Sequence, residues 1–109
     1  MKIIIKSTKL DLTPTIEDYA IKKLQTLQKF LKKFEKESEL EIYVEISKTT
    51  RHHHKGNVFY AELNLSLPHK IIRIEEYNSD IYAAIDVLKD RAKAEISKLK
   101  TKILKKRKW

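Results

Sequence analysis

The sequence predicts an α+β fold in which two helices cover one face of a four-stranded sheet. Three observations lead to this two-layer sandwich. The apolar residues follow a helical period near both ends of the chain, they alternate through its middle, and turn-forming residues separate the segments. A chain of 109 residues can bury one modest core. We therefore expect residues 1–109 to form a single domain with the element order β-α-β-β-β-α.

The first part of this order is a strand followed by a helix. Residues 2–7 are a short β-branched run of the kind that forms a strand. Thr13 suits the N-cap of a helix, and Pro14 suits its first position. The apolar residues that follow recur at helical spacing and predict one continuous helix with a single buried seam: Ile16, Ala20, Leu24, Leu27, Leu31 and Phe34.

The middle of the chain alternates as strands do. Residues 40–48 and 58–67 send apolar side chains to one face and polar side chains to the other, and residues 70–76 form a fourth strand. We expect Tyr43 and Tyr60 to pack against each other across strands on the outward face. Stacking on RNA bases is disfavoured there, because glutamates on the same face would repel phosphate: Glu41, Glu45 and Glu62.

The longest predicted element is a C-terminal helix, capped by Ser79 or Asp80. Its seam repeats at spacings of four and three: Ile81, Ile85, Leu88, Ala92, Ile96, Leu99 and Ile103. One basic stripe is predicted opposite this seam: Arg91, Lys98, Lys102 and Lys105. A second stripe flanks the seam: Lys89, Lys93, Lys100 and Arg107. On the first helix Lys22 and Lys29 are predicted on the solvent side, and Lys23 at the edge of the seam.

The net charge of +9 is unevenly distributed. Residues 1–34 carry eight basic and three acidic groups, residues 35–78 six and eight, and residues 79–109 ten and four. The predicted helices are therefore positive and the sheet is not. A one-signed excess of this size predicts binding of a polyanion on the helical side, and RNA is the most abundant large polyanion in a cell. Lysine-rich faces contact backbone phosphates without reading sequence.

Several other kinds of function are disfavoured. The chain has no cysteine, and adjacent side chains in His52-His53-His54 point apart, so we expect no metal site and no cofactor. No nucleophile, base and orienting acid can be assigned, and a single glycine cannot build a phosphate loop, so we expect neither catalysis nor a small-molecule substrate. The sequence contains neither a signal peptide nor an apolar run long enough to span a membrane, which predicts a cytoplasmic protein without a membrane partner.

Three segments carry a family resemblance. They are DIYAAID at residues 80–86, KGNVFYAELNLSLPHKIIRIEE at residues 55–76 and LDLTPTIEDYAIKKL at residues 10–24. Together they resemble the ribosome hibernation promoting factors, also called ribosome-associated translation inhibitors or sigma-54 modulation proteins. The fold that this family implies is similar to a double-stranded RNA-binding domain with an added first strand, which agrees with the element order read from the pattern.

The resemblance implies a partner and a mechanism. The partner is the small ribosomal subunit, bound through 16S rRNA in the channel that mRNA and the A- and P-site tRNAs use. The consequence is inhibition of translation in stress or stationary phase. The chain ends at Trp109 without the dimerising domain of the long family type, so we expect the short type and a monomer off the ribosome.

Some predicted contacts come from the family and others from the charge pattern. Five residues match basic family positions: Lys23, Arg91, Lys98, Lys100 and Lys102. Thr26 and Ala94 stand where the family commonly has a basic residue, and Lys93 is next to the second of them. The charge pattern adds Lys93 and the other members of the rRNA-binding set: Lys22, Lys29, Lys89 and Lys105. Residues 104–109 form a basic tail. The alternative is a generic double-stranded RNA-binding domain without ribosome specificity.

Overall fold

The structure, a computed structural model, describes residues 1–49, 58–68 and 70–107, with side chains as far as Lys105. Within those ranges four strands and three helical segments follow one another: β1 (Lys2–Thr8), α1 (Pro14–Gln25), α2 (Gln28–Glu35), β2 (Glu41–Thr49), β3 (Val58–Leu67), β4 (Lys70–Asn78) and α3 (Ile81–Arg107). The predicted α+β sandwich is confirmed.

The sheet has the strand order β1-β2-β3-β4, with β1 parallel to β2 and the other pairs antiparallel. A parallel pair requires a crossover, and α1 and α2 supply it. The register aligns apolar residues in rows across the sheet, as in the row Ile5, Val44, Leu63 and Ile74. One face of the sheet is therefore apolar, and the helices pack on it.

The core lies between this apolar face and the helices. All six residues of the first predicted seam are buried, and so are those of the second seam from Ile81 to Leu99, while Ile103 packs partly against the core. No polar or charged side chain is buried among the described residues. The local helix signals are also confirmed. Thr13 Oγ1 accepts the backbone N–H of Ile16 at 3.2 Å, and Asp80 Oδ1 accepts that of Tyr82 at 2.9 Å.

The first helix differs from the prediction of one continuous helix, because it is interrupted at Thr26 and Leu27. Thr26 Oγ1 donates to the Lys23 carbonyl at 2.6 Å, and the Thr26 and Leu27 backbone N–H groups bond three residues back instead of four. The chain thereby tightens for one turn. It resumes as α2 with Leu31 and Phe34 still buried, so the seam survives the interruption.

The outward face of the sheet corrects a second prediction. Tyr43 lies opposite Asn64 and Tyr60 lies opposite Tyr77, so the predicted packing of Tyr43 against Tyr60 is wrong. The Tyr60 and Tyr77 rings are 5.0 Å apart between centroids. The ring of Tyr43 instead has the Lys6 ammonium 5.6 Å from its centroid. Two tyrosines therefore do pack together on this face, but the partner of Tyr60 comes from β4 and not from β2.

Candidate nucleic-acid interface

The helices form two arms, one made of α1 and α2 and the other of α3, and the two arms run parallel. Tyr19 of α1 packs edge-on against Tyr82 at the start of α3, with ring centroids 4.9 Å apart. Farther along both arms, Phe30 of α2 lies against Lys100 of α3. Since the contacts advance in the same direction, the C-terminal ends of α2 and α3 lie at the same end of the domain. Cations are favourable at helix C-termini, so this end collects the lysines of both arms.

Polar contacts connect the arms near their starts. The Tyr19 hydroxyl donates to Asp86 Oδ1 at 2.7 Å, and the Lys23 ammonium is 3.8 Å from the same oxygen. The hydrogen bond to the Asp86 carboxylate, with partial desolvation and the nearby acidic charges, raises the pKa of Tyr19 to about 12. Lys23 is therefore drawn toward α3 in the free protein.

Two lysines of the predicted set are neutralised along α3 itself. The ammonium of Lys89 is 2.7 Å from the carboxylate of its neighbour Asp90. Lys98 reaches Glu95, one helical turn earlier, at 3.5 Å. Exposed pairs of this kind are weak and exchange readily for a stronger anion. Both lysines can therefore contribute to an interface, but each must first leave a carboxylate.

Arg91 occupies a different position from the one predicted for its stripe. Instead of lying opposite the seam, Arg91 lies over the outer edge of β4, where Nη1 donates to the Glu75 carbonyl at 2.8 Å. β4 is an edge strand, so its outward carbonyls have no ladder partner and the guanidinium satisfies one of them. The seam is thus flanked on both sides by basic residues, with Arg91 facing β4 and Lys100 facing α2.

The other side of the seam contains a concentrated basic feature that the sequence did not reveal. The half-buried ring of Phe30 has three ammonium groups close to it: Lys29 at 5.2 Å, Lys93 at 5.1 Å and Lys100 at 5.8 Å from the ring centroid. We call these four residues the Phe30 cluster. None of its three lysines forms an ion pair with a described residue. Part of the signal was the second basic stripe of the C-terminal helix, which includes Lys93 and Lys100, but sequence alone does not say which element this stripe meets.

The structure sorts the predicted set into two groups. Four members are held by protein partners: Lys23, Lys89, Arg91 and Lys98. Six make no ion pair within the part of the chain that the structure describes: Lys22, Lys29, Lys93, Lys100, Lys102 and Lys105. These six lysines carry positive charge that no described carboxylate neutralises.

On the opposite face of the sheet, charged and polar side chains pair with one another. Arg73 Nη2 lies 2.9 Å from Glu62 and 3.2 Å from Glu75, and the Tyr60 hydroxyl donates to Glu62 at 3.2 Å. Desolvation by burial, reinforced by the charges of Glu62 and Glu75, raises the pKa of Tyr60 to about 12. Because the arginine is already paired with two carboxylates, this face offers a phosphate little net positive charge.

Two other observations concern metal ions and membranes. Across residues 1–49, 58–68 and 70–107 no group of three or more His, Cys, Asp or Glu side chains is placed to hold a metal ion, and the histidines His52, His53 and His54 lie outside those ranges. None of the described helices is both long enough and apolar enough to cross a membrane.

Comparisons with known proteins identify the family of the chain and its fold. The family model described as "Sigma 54 modulation protein / S30EA ribosomal protein" matches residues 3–104. Two curated proteins named ribosome hibernation promotion factor are similar in sequence. The one from Deinococcus radiodurans is 26% identical over 98 residues, covering 90% of this chain and 48% of the relative. The one from a Picosynechococcus species is 26% identical over 102 residues, covering 94% and 50%. The chain thus spans about half the length of these relatives.

Two solved structures have the same fold. The N-terminal domain of Thermus thermophilus Protein Y superimposes with a TM-score of 0.73 at 30% identity, covering 91% of this chain and 99% of that one. A ribosomal subunit interface protein from Coxiella burnetii gives a TM-score of 0.75 at 20% identity, covering 93% and 99%. The second likeness, at this low identity, supports the fold alone.

Proposed function

The chain belongs to the sigma 54 modulation protein / S30EA ribosomal protein family, and from this premise we propose that it is a ribosome hibernation factor. In this proposal it binds the small ribosomal subunit in the mRNA and tRNA channel, holds 16S rRNA through backbone phosphates, and inhibits translation in stress or stationary phase. The family is one of ribosome-associated factors and not of enzymes. A ribosomal partner also implies a cytoplasmic location.

One observation carries the proposal: the basic ends of two parallel helical arms lie together, and lysines of both arms meet at one aromatic ring. An RNA duplex or a folded rRNA wall presents closely spaced phosphates, and an unpaired ammonium gains more from them than one that must leave a carboxylate. The acidic, self-paired sheet face points the other way. The domain therefore has one side suited to RNA and one side suited to solvent.

Occlusion follows from shape and charge together. The domain is elongated, with extents of 53 × 27 × 16 Å. Lodged in a phosphate-lined channel with α3 against the wall, a body of this size obstructs the mRNA and the tRNAs. Lysine is a compact point charge that contacts phosphate oxygens without reading bases, so recognition depends on the shape of the channel more than on its sequence. The ten predicted residues remain the proposed contact set, with the six unpaired lysines contributing most.

A generic double-stranded RNA-binding domain is the second candidate. The observation in its favour is that the helical side offers mainly lysines, which carry no base-reading specificity of their own. The two candidates differ in what the protein prefers when both ligands are present. A hibernation factor selects the small subunit over naked duplex RNA, whereas a generic binder does not.

Cosedimentation with purified small subunits through sucrose gradients, at low and at high salt, tests the proposal. We expect stoichiometric binding at low salt that a P-site tRNA displaces. We also expect a block of initiation in a cell-free system when the protein is added to idle ribosomes. Simultaneous tight binding of the protein and a P-site tRNA to one subunit would exclude occlusion. Equal or tighter binding to naked duplex RNA would favour the second candidate.

A further inference from the structure

We propose that the Phe30 cluster is a discrete polyphosphate-binding subsite, in which Phe30 acts as a positioning residue for Lys29, Lys93 and Lys100. The ligand class is a phosphodiester or polyphosphate chain, gripped through neighbouring phosphates at the groove between α2 and α3. This inference deepens the proposed function, on which it rests for its ribosomal ligand, because it identifies where on the helical side the backbone is held most firmly.

The first step of the argument is the convergence of like charges. Three ammonium groups within 5.8 Å of one ring centroid repel one another, and no described carboxylate pairs with any of them. Long lysine side chains on a free surface normally spread apart into water. Here all three approach the same aromatic ring, whose negative face attracts cations and offsets part of their repulsion.

The second step is the placement of the ring. Phe30 is half-buried and packs against the core, so its position is fixed by the fold and not by the lysines. It lies on α2, whereas two of its three cations belong to α3. The ring therefore couples the two arms, and a phosphate chain in this groove would meet charges contributed by both. An anion placed there would also relieve the repulsion among the lysines.

The third step is the contrast with the remaining basic residues. Lys23, Lys89 and Lys98 each have a carboxylate as partner, which a phosphate must displace. In the Phe30 cluster the lysines are preorganised but not neutralised, so binding there carries a smaller cost of ordering and of lost ion pairs. A site of this kind is expected to contribute a large share of the salt dependence of binding.

The test uses two probes, inorganic polyphosphate and purified small subunits, with the intact chain. The cluster variant changes Lys29, Lys93 and Lys100 to Gln. Its matched control changes Lys2, Lys6 and Lys9 to Gln, which removes the same charge from the open-sheet side. We expect the cluster variant to lose affinity for both probes. Its log–log salt slope for the small subunit should become shallower by roughly 2–3, at about 0.7–0.9 for each of the three lost contacts. We expect the control to retain the wild-type slope.

The positioning role of Phe30 is tested separately. Phe30→Leu keeps an apolar side chain but removes the ring face, and we expect roughly threefold to tenfold weaker binding to polyphosphate, the size of one or two cation–π contacts. The separate variant Phe30→Tyr keeps an aromatic ring and should bind polyphosphate as tightly as the wild-type protein. The melting temperature of each variant is measured as well. If Phe30 has only a structural role, the affinity for polyphosphate should fall with the melting temperature. If the ring positions the lysines, the affinity should depend on the presence of the ring.

The outcomes separate the two proposals. Wild-type protein that binds polyphosphate through the cluster but not the small subunit would refute the ribosomal function and leave the subsite standing. If the cluster variant and the control weaken polyphosphate binding equally, the site does not exist and the charge acts diffusely. If Phe30→Leu weakens binding to the subunit but not to polyphosphate, the ring stacks on a base and does not position lysines.

Discussion

Replacing Tyr19 by phenylalanine tests how the two helical arms are held together. The substitution removes the hydroxyl that donates to Asp86 Oδ1 at 2.7 Å, but it keeps the ring that packs edge-on against Tyr82. A hydrogen bond to a charged acceptor contributes about 1.5–3 kcal/mol. The Asp86 side chain is 42% exposed, so water competes for it and we expect a loss of about 1 kcal/mol. Thermal denaturation should show this as a melting temperature lower by about 4–8 °C.

The control for this substitution is Tyr43→Phe on the open sheet face. The Tyr43 hydroxyl makes no hydrogen bond with any residue that the structure describes, so its loss should change the melting temperature little. A double-mutant cycle with Asp86→Ala, which removes the acceptor oxygen, isolates the contact itself. We expect a coupling free energy near 1 kcal/mol between Tyr19 and Asp86. Strict additivity of the two substitutions would show that the hydroxyl does not connect the arms and that packing alone sets their crossing.

Three further outcomes are expected. Tyr19 and Tyr60 should ionise well above the ordinary tyrosine range in an ultraviolet titration. Because their folded pKa of about 12 exceeds the unfolded value of about 10, the stability that they contribute is present below pH 10 and is lost toward pH 12. Leu88→Ala, at a fully buried position, should lower the free energy of unfolding by about 2–5 kcal/mol in urea denaturation. Glu95→Gln releases Lys98 and also Lys70, each 3.5 Å from this carboxylate, and should tighten small-subunit binding in cosedimentation, while stability changes by no more than about 1 kcal/mol.

Local periodicity was sufficient to predict the elements and the core. Both helical seams depend on spacings within one segment, and strand alternation depends on neighbours two residues apart, so the sequence contains that information directly. The interruption at Thr26 and Leu27 was not predictable in this way, because neither residue forbids a helix. The interruption depends on the hydrogen bond that the Thr26 hydroxyl donates to the Lys23 carbonyl. It also depends on the path of the crossover from β1 to β2.

The composition of the candidate site was predictable, but its internal arrangement was not. Counting charges on a helical wheel identifies the lysines. Which of them are neutralised depends on contacts between segments far apart in the chain, such as that between Lys23 and Asp86. The same limit explains the wrong partner assigned to Tyr60, because the register of β3 and β4 decides it. It also hides the partner of Arg91, a backbone carbonyl on an edge strand. The position of Arg91 beside the seam, however, follows from the helix itself, since neighbouring residues lie about 100° apart around the axis.

The distribution of acids along α3 explains how the helix can be stable in the free protein and still present unpaired positive charge. Asp86, Asp90 and Glu95 lie in the first two thirds of the helix, where each sits near a basic residue, and no acid follows Lys98. The unpaired lysines beyond that point do not destabilise the helix, because the negative end of its dipole favours cations there. The charge that would attract RNA is therefore the same charge that stabilises the unbound helix end. It follows that neutralising the terminal lysines should weaken RNA binding strongly and lower helix stability only slightly, which makes binding and folding separable by measurement.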